Sequence, residues 1–106
     1  MPRFLFEATY TLDGLQGLFK DGGSGRVEAA RKMAESAGGR LESFDFAMGE
    51  PDTYAICELP DSKSAAAVAL TIDASGGARI KTVPLVTPAE IDQAVHQTVD
   101  YRAPGA

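Results

Sequence analysis

Residues 40–61 read RLESFDFAMGEPDTYAICELPD, and this stretch decides the fold. It contains two runs rich in aromatic and apolar side chains, 40–48 and 53–59, each about the length of a β-strand. Between the runs stands the sequence GEPD at 49–52, whose glycine and proline favour a tight turn. The stretch therefore predicts a β-hairpin.

Two more strands and three helices are predicted on either side of the hairpin. Apolar residues spaced three and four apart indicate amphipathic helices at 26–37 and 60–75. A capping box that starts at Thr87, with proline at the first helical position, indicates a third helix through about Val99. The other predicted segments are strands at 3–10 and 79–83, a connector at 11–20, a flexible glycine and serine linker at 22–25, and an unstructured tail at 102–106.

The order of these elements is β-α-β-β-α-β followed by an extra C-terminal helix. It predicts an α+β protein with a ferredoxin-like fold, in which two helices cover one face of an antiparallel sheet. We expect one domain at 1–101, because a chain of 106 residues supplies a single small core.

Composition excludes several classes of partner. Apolar residues make up 44% of the chain and charged residues 24%, as in ordinary globular proteins. The net charge of −5 disfavours binding to nucleic acid or to an anionic membrane. No apolar run approaches the roughly 20 residues of a membrane span, and the single cysteine, Cys57, cannot form an internal disulfide. We therefore expect a cytoplasmic protein.

Strand alternation sorts the side chains onto two faces of the sheet. A turn with an even number of residues pairs position 48 with 53, 46 with 55 and 44 with 57. The side chains then expected to face the helices are Phe44, Phe46, Met48, Ala55 and Cys57. Those expected on the opposite face, called the outer face below, are Leu5, Glu7, Thr9, Ser43, Asp45, Ala47, Tyr54, Ile56 and Glu58.

The outer face gathers side chains that could bind a ligand or transfer protons. The candidate ligand-binding residues are Glu7, Asp45, Tyr54, Glu58 and Lys81, with Arg79 as an alternative cation on the fourth strand. Carboxylates beside a phenol perform acid–base chemistry when they are partly buried, because desolvation raises a carboxyl pKa. Solvated surface charges or ion pairs at an interface explain the same residues, since polar side chains alternate on any open antiparallel sheet.

Three outer-face residues, Leu5, Tyr54 and Ile56, are too apolar for a sheet that is wholly exposed. A second copy of the chain packed on this face would bury them. We therefore expect a homo-oligomer, at least a dimer, built by sheet-to-sheet packing.

No residue is assigned a catalytic role. Cys57 is expected to be a buried, small apolar side chain rather than a nucleophile. His96, the only histidine, is expected at the surface and excludes a metal site of paired imidazoles within one chain. The glycines at 22–25 meet neither the P-loop pattern nor the dinucleotide fingerprint. We expect neither a metal nor a cofactor.

The sequence resembles the GYD domain family of small bacterial proteins over about residues 3–92. The segments that carry the resemblance are RVEAAR at 26–31, GGRLESF at 38–44, GEPD at 49–52 and ICELPD at 56–61. The family's Gly-x-Tyr-Asp turn is present with Gly49 and Asp52 kept and with Pro51 in place of the tyrosine. The resemblance implies a ferredoxin-like fold of the dimeric α+β barrel type. It implies no biochemical function, because members of the family are largely without one.

Three functions are compatible with these observations, the third of which is a purely structural assembly subunit. The first is a non-catalytic oligomer that binds a small molecule or regulates, with its ligand between the sheet and its partner or at the oligomer interface. The alternative is a small dimeric α+β barrel enzyme, similar to monooxygenases or isomerases, that acts on a small organic substrate through Glu7, Asp45 and Tyr54. An enclosed cavity lined by these three residues would favour a ligand or catalysis, and a dry interface would favour assembly.

Overall fold

The computed structural model describes all 106 residues as an α+β fold with a four-stranded antiparallel sheet and three helices. In chain order the elements are β1 (Arg3–Tyr10), α1 (Leu12–Ser36), β2 (Arg40–Phe46), β3 (Thr53–Glu58), α2 (Ser62–Ser75), β4 (Ala78–Leu85) and α3 (Pro88–Ala94). Each of the seven predicted strands and helices is present, with different bounds in several cases. None of the helices combines the length and apolar character that a membrane span requires.

β1 lies inside the sheet, whose strand order is β2-β3-β1-β4. Glu7, in the middle of β1, lies opposite Tyr54 of β3 on one side and Lys81 of β4 on the other. Phe4 and Phe6 are buried beneath the helices. Because successive side chains of a strand point to opposite faces, Glu7 and its two neighbours lie on the outer face, as predicted.

The register of the hairpin differs from the prediction by two residues. Phe46 lies opposite Thr53, whereas the sequence predicts Phe46 opposite Ala55. β2 ends at Phe46 because the next N–H, that of Ala47, donates to the carbonyl of Asp52 at 2.7 Å and closes the loop. An offset of two residues leaves every strand side chain on its predicted face.

A β-bulge at Glu42 adds one residue to β2 between Leu41 and Ser43. Simple alternation from Phe44 would point Leu41 to the outer face, but the extra residue turns it inward, where it is buried. The Glu42 carboxylate accepts a hydrogen bond from the Arg3 guanidinium at 2.8 Å. This hydrogen bond and the charge of Arg3 hold the pKa of Glu42 below its ordinary value.

The core lies between the sheet and the helices α1 and α2. Its buried cluster consists of Phe4, Phe6, Ala34, Leu41, Ala55, Cys57, Leu59, Ala65 and Val68. Burial of Cys57 confirms the prediction for that residue. Met48, predicted to pack under the helices, is instead fully exposed. Phe46 does face α1, with its ring against Gly23, but it remains 43% exposed. Met48 belongs to the loop, and Phe46 is the last residue of its strand.

α1 takes the place of the predicted connector at 11–20 and of the predicted flexible linker at 22–25. It begins after Thr11, whose hydroxyl accepts a hydrogen bond from the N–H of Gly14 at 3.2 Å. Its only non-helical residue is Gly22, with φ 70° and ψ 170°, a combination that is open essentially to glycine alone. The chain therefore has a kink at Gly22 where the sequence predicts a flexible linker of four residues, 22–25.

The ends of two later elements also differ from the prediction. β4 pairs along the whole of β1 and extends beyond its predicted end. Thr87 and Glu90 form the predicted capping box, but α3 ends at Ala94 instead of near Val99. No residue of α3 is buried, and a helix without a packed face is marginal in water.

Candidate binding site

A half-enclosed cavity of about 280 Å³, called the main chamber below, lies between the inner face of the sheet and the helices. Thirteen of the 15 residues that line it are hydrophobic. The strands contribute Phe6, Ala8, Tyr10, Leu41, Phe44, Thr53, Ala55, Cys57, Ala78 and Ile80, and the helices contribute Arg26, Ala29, Ala30, Met33 and Ile72. Such a lining suits a small apolar molecule.

The main chamber exists because small side chains meet where the helices diverge. α1 packs mainly against β2 at one edge of the sheet, and α2 packs against β4 at the other. Between these two contacts the lining contains five alanines, Ala29 and Ala30 from α1 and Ala8, Ala55 and Ala78 from the strands. An alanine side chain ends at Cβ, so neither side reaches far enough to fill the space between them.

Arg26 is the only charged residue in the lining of the main chamber. Its side chain is partly exposed. Its Nη1 donates a hydrogen bond to Oδ2 of Asp21 at 3.4 Å, which is long for a hydrogen bond. Arg26 makes no other hydrogen bond or ion pair with a side chain, although a guanidinium carries five N–H donors. The polar contribution of the helices to the chamber is therefore one cation with most of its donors unused.

Cys57 lies among the apolar residues of the main chamber and is 2% exposed. Burial raises the pKa of its thiol to about 11, because a thiolate loses its hydration there. The side chain is consequently a neutral thiol near pH 7, and the chamber does not present an activated nucleophile.

A second cavity of about 210 Å³, the side chamber, adjoins the main chamber. Four residues line both cavities, namely Tyr10, Arg26, Ile72 and Ala78. The rest of the side chamber is lined by Gly14, Gly17, Ser75 and Gly77. Arg26 thus lies at the boundary between an apolar space and a smaller, more polar one.

Close backbone contacts form the wall of the side chamber. Thr11 donates from its N–H to the carbonyl of Gly77 at 3.1 Å and from its hydroxyl to the carbonyl of Gly76 at 2.6 Å. The start of α1 approaches the turn before β4 so closely that a Cβ on Gly14 would fall 1.8 Å from the Gly77 oxygen. At Gly17, one turn further along α1, a Cβ would meet no atom within 4 Å.

Four of the predicted site residues form one row across the outer face, in the order Lys81, Glu7, Tyr54, Asp45. Lys81 Nζ lies 4.0 Å from a carboxylate oxygen of Glu7. The sheet leaves this row open, and the four principal cavities of the chain are lined by other residues. In the single chain the row forms a charged surface rather than an enclosed site.

Glu58, the fifth predicted site residue, lies apart from this row. It is four residues from Tyr54 along β3, a separation of about 13 Å. Glu58 lies opposite Arg3 and Arg40, and it forms an ion pair with Arg40. Arg79, the alternative cation, lies two residues before Lys81 on β4 and opposite Thr9.

An apolar row separates these two charged regions of the outer face. Leu5, in the middle, lies opposite Ile56 on one side and Val83 on the other. All three side chains are only partly buried. The outer face therefore has an apolar centre with ion pairs on both sides, which is the general composition of a protein interface.

No sequence pattern predicts the two chambers, although strand alternation places three of their lining residues, Phe44, Ala55 and Cys57, on the inner face. In the sequence, Arg26 is the first residue of a predicted helix and Tyr10 the last of a predicted strand, and neither position indicates a site. His96 is exposed beyond the end of α3, as predicted.

The GYD domain model matches residues 4–95 of the 106-residue chain. The matched region contains all four strands except the first residue of β1, all three helices and every residue that lines the two chambers. No curated protein matches the chain significantly.

Proposed function

Because the chain belongs to the GYD domain family, we propose that it is a ferredoxin-like, non-catalytic domain that binds a small molecule and works as a homo-oligomer. The strand order β2-β3-β1-β4 and the chain order β-α-β-β-α-β support the ferredoxin-like arrangement. The ligand occupies the main chamber, and the outer face packs against a second copy.

The main chamber is the observation that carries this proposal. An apolar cavity of about 150 Å³ can bind benzene, so about 280 Å³ accommodates a ring with a substituent. Folded interiors are normally close-packed, and an apolar space of this volume is expensive to maintain unless something occupies it. Larger residues in place of the lining alanines would fill the cavity without changing the strands and helices. The cavity therefore comes from the alanines of this sequence and is not required by the fold.

The chemistry of the lining favours binding over catalysis. It contains no carboxylate or histidine, and its single thiol is protonated near neutral pH. The alternative enzyme would need Glu7, Asp45 and Tyr54 to be enclosed, and in the single chain their row lies on the open outer face. We therefore assign the outer row to assembly and the chamber to the ligand.

Titration of the isotope-labelled protein with toluene tests the proposed site. Toluene is neutral, so its binding depends on the apolar space alone. We expect NMR shift changes at Ala8, Ala55 and Cys57 that saturate with concentration. The substitution Ala30→Leu fills part of the chamber and should reduce toluene affinity at least tenfold.

The matched control is Ala66→Leu, the same change on the exposed surface of α2. It should leave toluene affinity unchanged. Absence of shift changes in the native protein, or equal affinity in the Ala30→Leu variant, would show that the chamber is not a binding site.

A further inference from the structure

We infer that the ligand of the main chamber is a small carboxylate with an apolar body, and that Arg26 binds its carboxyl group at the boundary with the side chamber. This inference rests on the proposed function, since it specifies the ligand of the same site. It is carried by the position of Arg26, which lines both chambers, and by the absence of any other charged residue in either lining.

The two chambers together match an amphipathic molecule. An apolar body fits the main chamber among alanine, methionine and phenylalanine side chains. A polar end would extend past Arg26 toward the side chamber, whose remaining lining consists of glycines and the hydroxyl-bearing Ser75. A ligand with its charge at one end would place each part against a surface of similar polarity.

The geometry of Arg26 favours an anion, and a carboxylate in particular. Its one contact with Asp21, at 3.4 Å, is long and involves a single nitrogen, so most of the guanidinium is available. A carboxylate accepts two parallel hydrogen bonds from a guanidinium, which are short and charge-assisted.

The lining also indicates how much negative charge the site accepts. A phosphate carries nearly two charges at neutral pH, and its oxygens need several donors. The chambers supply one cation, and the chain as a whole has a net charge of −5. A monoanion is therefore the charge state that Arg26 can balance.

Benzoate and benzamide test the inference, because they have the same shape and differ in charge. By calorimetry at low salt, we expect benzoate to bind the native protein at least tenfold more tightly than benzamide. In the Arg26→Gln variant the two affinities should become equal within about twofold, while toluene still binds. Retained toluene binding shows that this variant keeps the folded chamber.

Arg31→Gln is the matched control. Arg31 lies on the same helix and contacts Glu28 at 3.4 Å, the same distance as between Arg26 and Asp21, but it is outside both chambers. This variant should keep the preference for benzoate. If the native protein binds toluene but binds benzoate and benzamide with equal affinity, the inference about a carboxylate ligand is wrong, and the proposed binding site in the main chamber is retained. Native protein that fails to bind toluene would overturn both.

Discussion

Cys57 shows how a single residue takes its chemistry from its surroundings. The thiol lies on the inner face of the sheet between Phe4 of β1 and Leu41 of β2, and both neighbours are buried and apolar. No cation lies on either side of it to stabilise a thiolate. Its pKa is consequently raised by burial from 9.0 to about 11.

This shift predicts a loss of stability in alkaline solution. A pKa that is higher in the folded state stabilises the fold fully below pH 9, and this contribution is lost as the pH rises from 9 to about 11. Between pH 8 and pH 10 the native protein should lose about 1 kcal/mol more unfolding free energy than the Cys57→Ala variant. Urea denaturation at the two pH values measures this difference. The Cys57→Ala variant retains every tyrosine and lysine, which also ionise in alkaline solution. Equal losses of unfolding free energy in the two proteins would show that the thiol ionises freely in the folded protein.

Two glycines of α1 predict opposite effects of the same substitution. Gly14→Ala would place a methyl group 1.8 Å from the Gly77 carbonyl oxygen and should cost more than about 2 kcal/mol, because backbone on both sides must move. Gly17→Ala meets open space and should stabilise the helix by about 0.5 to 1 kcal/mol. Chemical denaturation of the two variants compares them directly. Similar effects at both positions would mean that α1 does not approach the β4 turn as described.

Within the secondary-structure elements, local signals were predictable and contacts between elements were not. The capping box at Thr87 holds as predicted, because a capping side chain reaches only the N–H groups of the next turn. The hairpin register depends on Asp52, whose carboxylate also accepts the N–H of Tyr10 in another strand at 2.8 Å. No sequence pattern shows that contact.

The candidate site likewise combines positions that are predictable from the sequence with contacts that are not. Alternation places Ala55 and Cys57 on the inner face, because the two-residue period of a strand is a local property. The empty space above them depends on how far apart α1 and α2 lie, which small side chains permit but do not determine. Arg26 becomes a site residue only because α1 bends at Gly22 and continues past the chamber.

For the whole molecule, the single chain leaves much apolar surface uncovered. Its radius of gyration is 16.7 Å, whereas a compact chain of this length has about 13 Å. The segment after β4 accounts for part of the difference, since Val95, Val99 and Tyr101 are all exposed. The apolar row of the outer face is a second uncovered surface.

The substitution Ile56→Arg tests whether a second copy covers the outer face. In a homo-oligomer it places an unpaired charge in a desolvated centre, which should release folded monomers. Light scattering should then give the mass of one chain, 11.1 kDa, with an unchanged circular dichroism spectrum. Ala66→Arg, on the exposed side of α2, should keep the native mass. An Ile56→Arg protein with the native mass would exclude this face as the interface.

The bulge in β2 also makes one position of the chain tolerant of a lost codon. Deletion of a residue from a regular strand exchanges the two faces for every side chain beyond it. Glu42 is itself the extra residue, so its removal would leave Leu41 and Phe44 on the inner face, joined by a strand of ordinary alternation. The deletion would remove the carboxylate that Arg3 contacts and preserve the core. Homologous chains can therefore differ in length at this point without exchanging their buried and exposed residues.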